Sequence, residues 1–157
     1  MIAYKNILYC TDFSEDAEIA LHHAVDLARR HDAKLHILHC PHSTLRYMPT
    51  ETDEGAAPGD VTYASPELLA KLKEDLKARY AAKLDGVSQV EWVVLAGTPF
   101  VEILRYVREH GVDLVVMGTE GASAREDTHY GSTVEQVAKR SPCHVMAIRN
   151  PERTYTL

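Results

Sequence analysis

The sequence predicts an α/β fold with a parallel sheet and helices on both faces, and three observations carry that reading. Five short apolar runs alternate with four segments of helical period along the chain. One run stops at Gly118 and gives way to a glycine-bearing stretch, Gly118-x2-Gly121-x9-Gly131-Ser132-Thr133, that opens a helix. A chain of 157 residues with 45% hydrophobic content fills one core and is short for two. Buried parallel strands read as continuous apolar runs, and right-handed crossovers leave few ways to connect them.

Residues 5–9 (KNILY) form the first strand candidate and lead into Cys10-Thr11-Asp12-Phe13. Ser14 then offers a helix N-cap, with Glu15 and Asp16 in the first turn where the helix dipole favours acids. Ala17, Leu21, Ala24 and Ala28 give that helix an apolar stripe, and Glu18, His22, Asp26 and Arg29 take the other side. Residues 34–39 (KLHILH) are the second strand. Residues 42–64 have no period and are rich in acids, Pro and Gly at their centre, which reads as a long surface loop. Ser65-Pro66 starts the second helix, whose buried stripe is Leu69, Leu72, Leu76 and Tyr80, with Arg79 outside. Residues 89–95 (QVEWVVL) are the third strand, with Trp92 in core packing. Gly97-Thr98-Pro99 opens a third helix with Ile103, Leu104 and Val107 inward, and Gly111 ends it. Residues 112–117 form the fourth strand, 131–140 the fourth helix, and 143–149 the fifth strand.

Composition excludes several function classes. A net charge of −6, with no basic block, argues against a nucleic-acid duplex or an anionic membrane as partner. Three widely spread cysteines imply no disulfide framework. No run is long enough to span a bilayer, and the chain opens without a leader-like segment. The expectation is one cytoplasmic domain over residues 1–157, with 42–64 as its long surface loop.

A strand that ends in glycines before a helix start is the order that builds an anion site. The backbone can approach a ligand closely there, and amides at the helix start point at negative charge. The glycine stretch resembles the nucleotide loop of the universal stress protein family. YCTDFSE, AGTPFVEIL, VDLVVMGTEG and YGSTVEQVAKRSPCHVMAI extend that resemblance, in the right order, over nearly the whole chain. The resemblance implies an open, Rossmann-like five-stranded sheet of order 3-2-1-4-5. Its ligand crevice then opens where the first and fourth strands are neighbours.

The resemblance also implies which residues meet an adenine nucleotide. Thr11 and Asp12 match the family signature at the nucleoside. Main-chain groups near His39 and Cys40 match the adenine contact. Amides around Gly118, Gly121 and Gly131, with the Ser132 and Thr133 hydroxyls, are placed to cradle phosphates, and Met117 is counted with the nucleotide-binding residues. Read from the residues alone, Asp12 has two roles open to it: accepting from a ribose hydroxyl or adenine amino group, or capping a turn. Ser132 and Thr133 likewise serve as ligand donors, as N-caps, or as both.

The resemblance implies an adenine-nucleotide-binding protein (ATP, ADP or AMP) of stress survival, and the mechanism expected of it is a switch or sensor, with Mg²⁺ at the phosphates and a protein partner. In that reading, nucleotide orders residues 118–133 and changes the surface offered to the partner. Two alternatives stand beside it: a nucleotide-independent dimeric scaffold, and a very slow ATPase. No P-loop lysine motif and no carboxylate set for in-line phosphoryl transfer is present, so binding is favoured over turnover and no catalytic residue is assigned. Glu120, Glu126 and Asp127 depart from the family's usual loop, set against only Arg125 and His129. Each unpaired acid opposes a phosphate by roughly a kcal/mol at surface dielectric.

The closing strand, from Cys143 to Arg149, matches the family's dimer strand, so the resemblance implies a homodimer through it. His36, His39, Cys40 and His42 are dense enough to weigh as metal ligands. Along an extended run, however, His36 and His39 face opposite sides, and no metal site is assigned. Cys10 reads as a small buried residue with no CxxC partner, and His22 and His23, consecutive on a helix, cannot share a ligand.

Overall fold

A computed structural model describes residues 1–41, 65–119 and 133–152. The elements run β1 (Asn6–Thr11), α1 (Glu15–His31), β2 (Lys34–His39), α2 (Pro66–Tyr80), a 3₁₀ turn (Ala81–Lys83), β3 (Val90–Val94), α3 (Pro99–Glu109), β4 (Leu114–Gly118), α4 (Thr133–Arg140) and β5 (His144–Ile148). All strand pairs are parallel, and the sheet order is β3-β2-β1-β4-β5. The expected order therefore holds. The first strand runs two residues beyond its apolar core, to Thr11, because Cys10 and Thr11 continue the ladder opposite Leu38 and His39.

Alternation along β1 divides the core. Ile7 and Tyr9 pack with Leu35, Ile37, Leu114 and Val116 beneath α1 and α2. Leu8 and Cys10 pack with Leu38, Val115 and Met117 on the other side, beneath α3 and α4. The α1 stripe is buried as its spacing predicts, and Ser14 caps it, its hydroxyl accepting the Ala17 amide at 3.2 Å. Asp16 is an exception to the pattern. It sits in the first turn as a helix-dipole acid would, yet it is fully buried. On α2 only Leu76 and Tyr80 are fully buried, while Leu69 and Leu72 are half-exposed. Trp92 is also half-buried, as befits a strand at the sheet's edge.

Gly111 ends α3 in the left-handed region at φ +60°, as its position predicts. At the opposite end of the sheet from the crevice, the Asp113 carboxylate accepts the Lys5 amide at 2.8 Å and the Asn6 amide at 3.3 Å. That contact fastens the start of β1 to the approach to β4.

Candidate functional site

The crevice at the carboxyl ends of β1 and β4 is built by connections that diverge. From β1 the chain leaves through α1 on one face, and towards β4 it arrives through α3 on the other. Thr11 and Asp12 end β1, His39 and Cys40 end β2 beside them, and Met117 and Gly118 end β4 on the other flank. The sheet thus brings six of the sequence-selected residues to one edge. Thr133 begins α4 and is half-exposed. Gly121, Gly131 and Ser132, with Glu120, Arg125, Glu126, Asp127 and His129, lie outside the described residues.

Asp12 is exposed, and its Oδ1 accepts the Ser14 amide at 3.0 Å. It therefore performs the turn role at the end of β1 while remaining exposed, and Ser14 performs the helix cap. Thr11 is buried. Its hydroxyl accepts the Phe13 amide at 3.0 Å and shares a 2.6 Å hydrogen bond with the Tyr80 phenol. His39 is also buried, its Nδ1–H donating to the Thr11 carbonyl at 2.8 Å. Burial holds its pKa below the ordinary histidine value, so the ring is neutral at pH 7. The His39 carbonyl is already engaged by the Leu95 amide at 3.1 Å. Cys40 donates its thiol to the Gly97 carbonyl at 3.5 Å, and burial, with the Glu102 carboxylate nearby, pushes that thiol up to about 12.

Two residues have different surroundings from those their motif suggests. Met117 points into the core beneath α3 and α4, not into the crevice. A Cβ on Gly118 would lie 3.0 Å from the Asp16 carbonyl carbon and 3.0 Å from its Cβ. The close approach that this glycine permits is to the first turn of α1. Cys10 is buried with its thiol pKa raised by that burial, which suits packing rather than reactivity.

Several crevice residues escaped the sequence reading. Phe13 is left-handed at φ +64°, which costs a bulky residue about 1–2 kcal/mol. The Asp16 Oδ1 accepts the Asn150 side-chain amide at 3.2 Å, and both residues are buried. The Thr119 hydroxyl is buried and has no hydrogen-bond partner among the described residues. A polar signature one position past Gly118 was the only signal that could have pointed to Thr119.

A cavity of about 600 Å³ lies away from the crevice, along β3 and α3, with Lys34, His36, Glu91, Arg105, Tyr106 and His110 among its lining. None of the sequence-selected site residues borders it. His36 and His39 face opposite sides of the sheet, His36 bonding Tyr106 and Asn6. Among the described residues no cluster of three or more His, Cys, Asp or Glu could hold a metal ion. Nor is any described helix long and apolar enough to cross a membrane.

Residues 3–149 match the sequence profile of the universal stress protein family. The chain belongs to that family. A Staphylococcus haemolyticus protein that carries the universal stress protein name is 36% identical over 153 residues, covering 97% of this chain and 88% of its own. The solved universal stress protein UspA from Lactobacillus plantarum is 27% identical with a TM-score of 0.63, covering 95% of this chain and 100% of that one. A universal stress protein solved in complex with cAMP shares the fold at a TM-score of 0.66 and 22% identity, over 94% of this chain and 98% of that one. Universal stress proteins thus supply the same order of parallel strands that this sheet displays.

Proposed function

We propose that this universal stress protein binds an adenine nucleotide in the β1/β4 crevice and acts as a stress-response switch or sensor read by a protein partner. The observation that carries the reading is an exposed Asp12 at the end of β1 beside a Thr119 hydroxyl at the end of β4 that is buried with no hydrogen-bond partner among the described residues. A carboxylate accepts from ribose or adenine, and a hydroxyl without a partner is restored by a ligand acceptor. The solved relative in complex with cAMP supports an adenine nucleotide as the ligand class. Thr11, Asp12 and the Cys40 main chain would meet the nucleoside. Gly118, Gly121, Gly131, Ser132 and Thr133 would meet the phosphates, with Mg²⁺ accompanying ATP or ADP. The protein would work in the cytoplasm as a homodimer through β5.

Titration calorimetry on nucleotide-free protein with ATP, ADP and AMP, with and without Mg²⁺, tests this directly. Micromolar binding that Asp12→Ala abolishes supports it, and the ranking of the three ligands reports the cost of the acids at 120, 126 and 127. A second reading, a nucleotide-independent dimeric scaffold, is favoured by one observation: the space over Gly118 is filled by Asp16 rather than left for a phosphate. Absence of heat with all three nucleotides would select it.

A further inference from the structure

The turn that presents Asp12 is held in place from outside the crevice. Phe13, the next residue, adopts φ +64°, a conformation an L side chain keeps only where its surroundings impose it. Three groups impose it here. The Phe13 carbonyl accepts Nη2 of Arg79 at 3.3 Å, and the guanidinium carbon lies 5.4 Å from the Phe13 ring centroid. The same ring stacks on Tyr80, with centroids 6.1 Å apart and planes at 7°, and tilts against His39 at 4.5 Å. On the other side of Asp12, the Thr11 hydroxyl binds both the Phe13 amide and the Tyr80 phenol. Both neighbours of Asp12 in the chain are thus fastened to the last turn of α2.

We propose that Arg79 and Tyr80 are positioning residues for the ligand contact at Asp12, acting through the left-handed turn at Phe13. The inference rests on the nucleotide reading above. Arg79 is suited to this role rather than to core packing. Its side chain keeps 44% of its surface exposed, and its donors go to a backbone carbonyl and to Glu18 at 2.8 Å. Glu18 binds Lys83 at 2.8 Å through its other oxygen, which keeps the carboxylate fixed while it orients the guanidinium. Coupling of this kind is reciprocal. A ligand that requires the Asp12 position also favours the seated form of α2, so occupancy of the crevice is felt at a helix whose outer face is solvent-exposed.

The test is a double-mutant cycle on ATP and AMP affinity in the full chain: wild type, Asp12→Asn, Arg79→Met, and the two together. Arg79→Met should weaken binding about five- to ten-fold, at the low end of ordinary coupling. In the Asp12→Asn background the same change should cost nothing further, because Arg79 acts through that carboxylate. Arg79→Lys keeps the charge near Glu18 but loses the fork, and should behave as Arg79→Met does. Tyr80→Phe, which retains the ring, provides an independent variant and should weaken binding in the same direction. Wild-type affinity in Arg79→Met, or losses at Arg79 and Asp12 that simply multiply, would overturn the inference while leaving nucleotide binding intact. A wild type that binds neither ATP nor AMP would remove the functional reading and this inference together.

Discussion

The Thr11 hydroxyl and the Tyr80 phenol lie 2.6 Å apart in a buried seam, joining the end of the central strand to a helix residue 69 positions further along the chain. The Thr11 oxygen also takes the Phe13 amide, so removing the phenol leaves a buried hydroxyl with one partner fewer. Tyr80→Phe should therefore cost about 1–2 kcal/mol of stability while the ring keeps its stack on Phe13. Urea unfolding of the two proteins measures it. An unchanged midpoint would mean that the seam admits water.

At Gly118 the limiting contact is backbone, which cannot swing aside as a side-chain end can. The 3.0 Å separation from the Asp16 carbonyl carbon predicts that Gly118→Ala displaces the first turn of α1 and costs about 1–3 kcal/mol. Thermal melting without any nucleotide isolates this effect from ligand binding. Equal melting temperatures would show that α1 seats more loosely than the contact implies.

His36 gives a pH dependence of known sign. Burial, with the charges of Lys34 and His110 adding to it, lowers its pKa from 6.5 to about 4. In the fold the ring is neutral, bonded to the Tyr106 hydroxyl at 2.7 Å and the Asn6 side chain at 3.1 Å. The unfolded chain takes up the proton first, so this contribution is complete above about pH 6.5 and is lost as pH falls towards 4. Stability measured across that window should fall less steeply in His36→Gln than in the wild type. Parallel curves would remove His36 from the account.

The proposed dimer strand can be tested without disturbing the sheet. The Ile148 carbonyl accepts the Thr119 amide, so Ile148 and its alternate residues face β4, whereas Ala147 faces outward and is exposed. Ala147→Pro removes one outward amide from β5 and should weaken self-association at least about ten-fold if that edge pairs between copies. Sedimentation equilibrium of both proteins decides the matter, and identical dissociation constants would locate any dimer contact elsewhere.

How much of this was legible in the residues depends on the range of the interaction that fixes each one. Ser14, Pro99 and Gly111 act within a few positions of themselves, and the helix boundaries they set agree with the structure. The apolar runs located the strands, most plainly β1, β2 and β4, which are buried on both faces and have no polar-out alternation to obscure them. Asp16 reads correctly as a first-turn acid, but its burial had no local signal, because its partner Asn150 is 134 positions away. Tyr106 was left off the inward face of α3 for a similar reason, since its hydroxyl is satisfied by His36. Arg79 reads as an outward residue on the helical wheel, and it is one. Only the packing of α2 against the turn after β1 gives it something to hold. Gly118 carried a motif whose ligand meaning hid a simpler steric demand.

The Asp113 clamp on the Lys5 and Asn6 amides spans 107 positions or more, and the β1–β4 ladder that follows it is equally distant in sequence. β1 meets β2 across a short stretch of chain, Asn6 opposite Lys34, while its other flank waits for a strand more than a hundred positions away, Ile7 opposite Leu114. The innermost strand is thus closed on its second side only by a pairing far more distant in sequence than its first. Such high contact order slows folding and leaves an apolar edge open for the whole interval, which is where a chaperone would have most to protect.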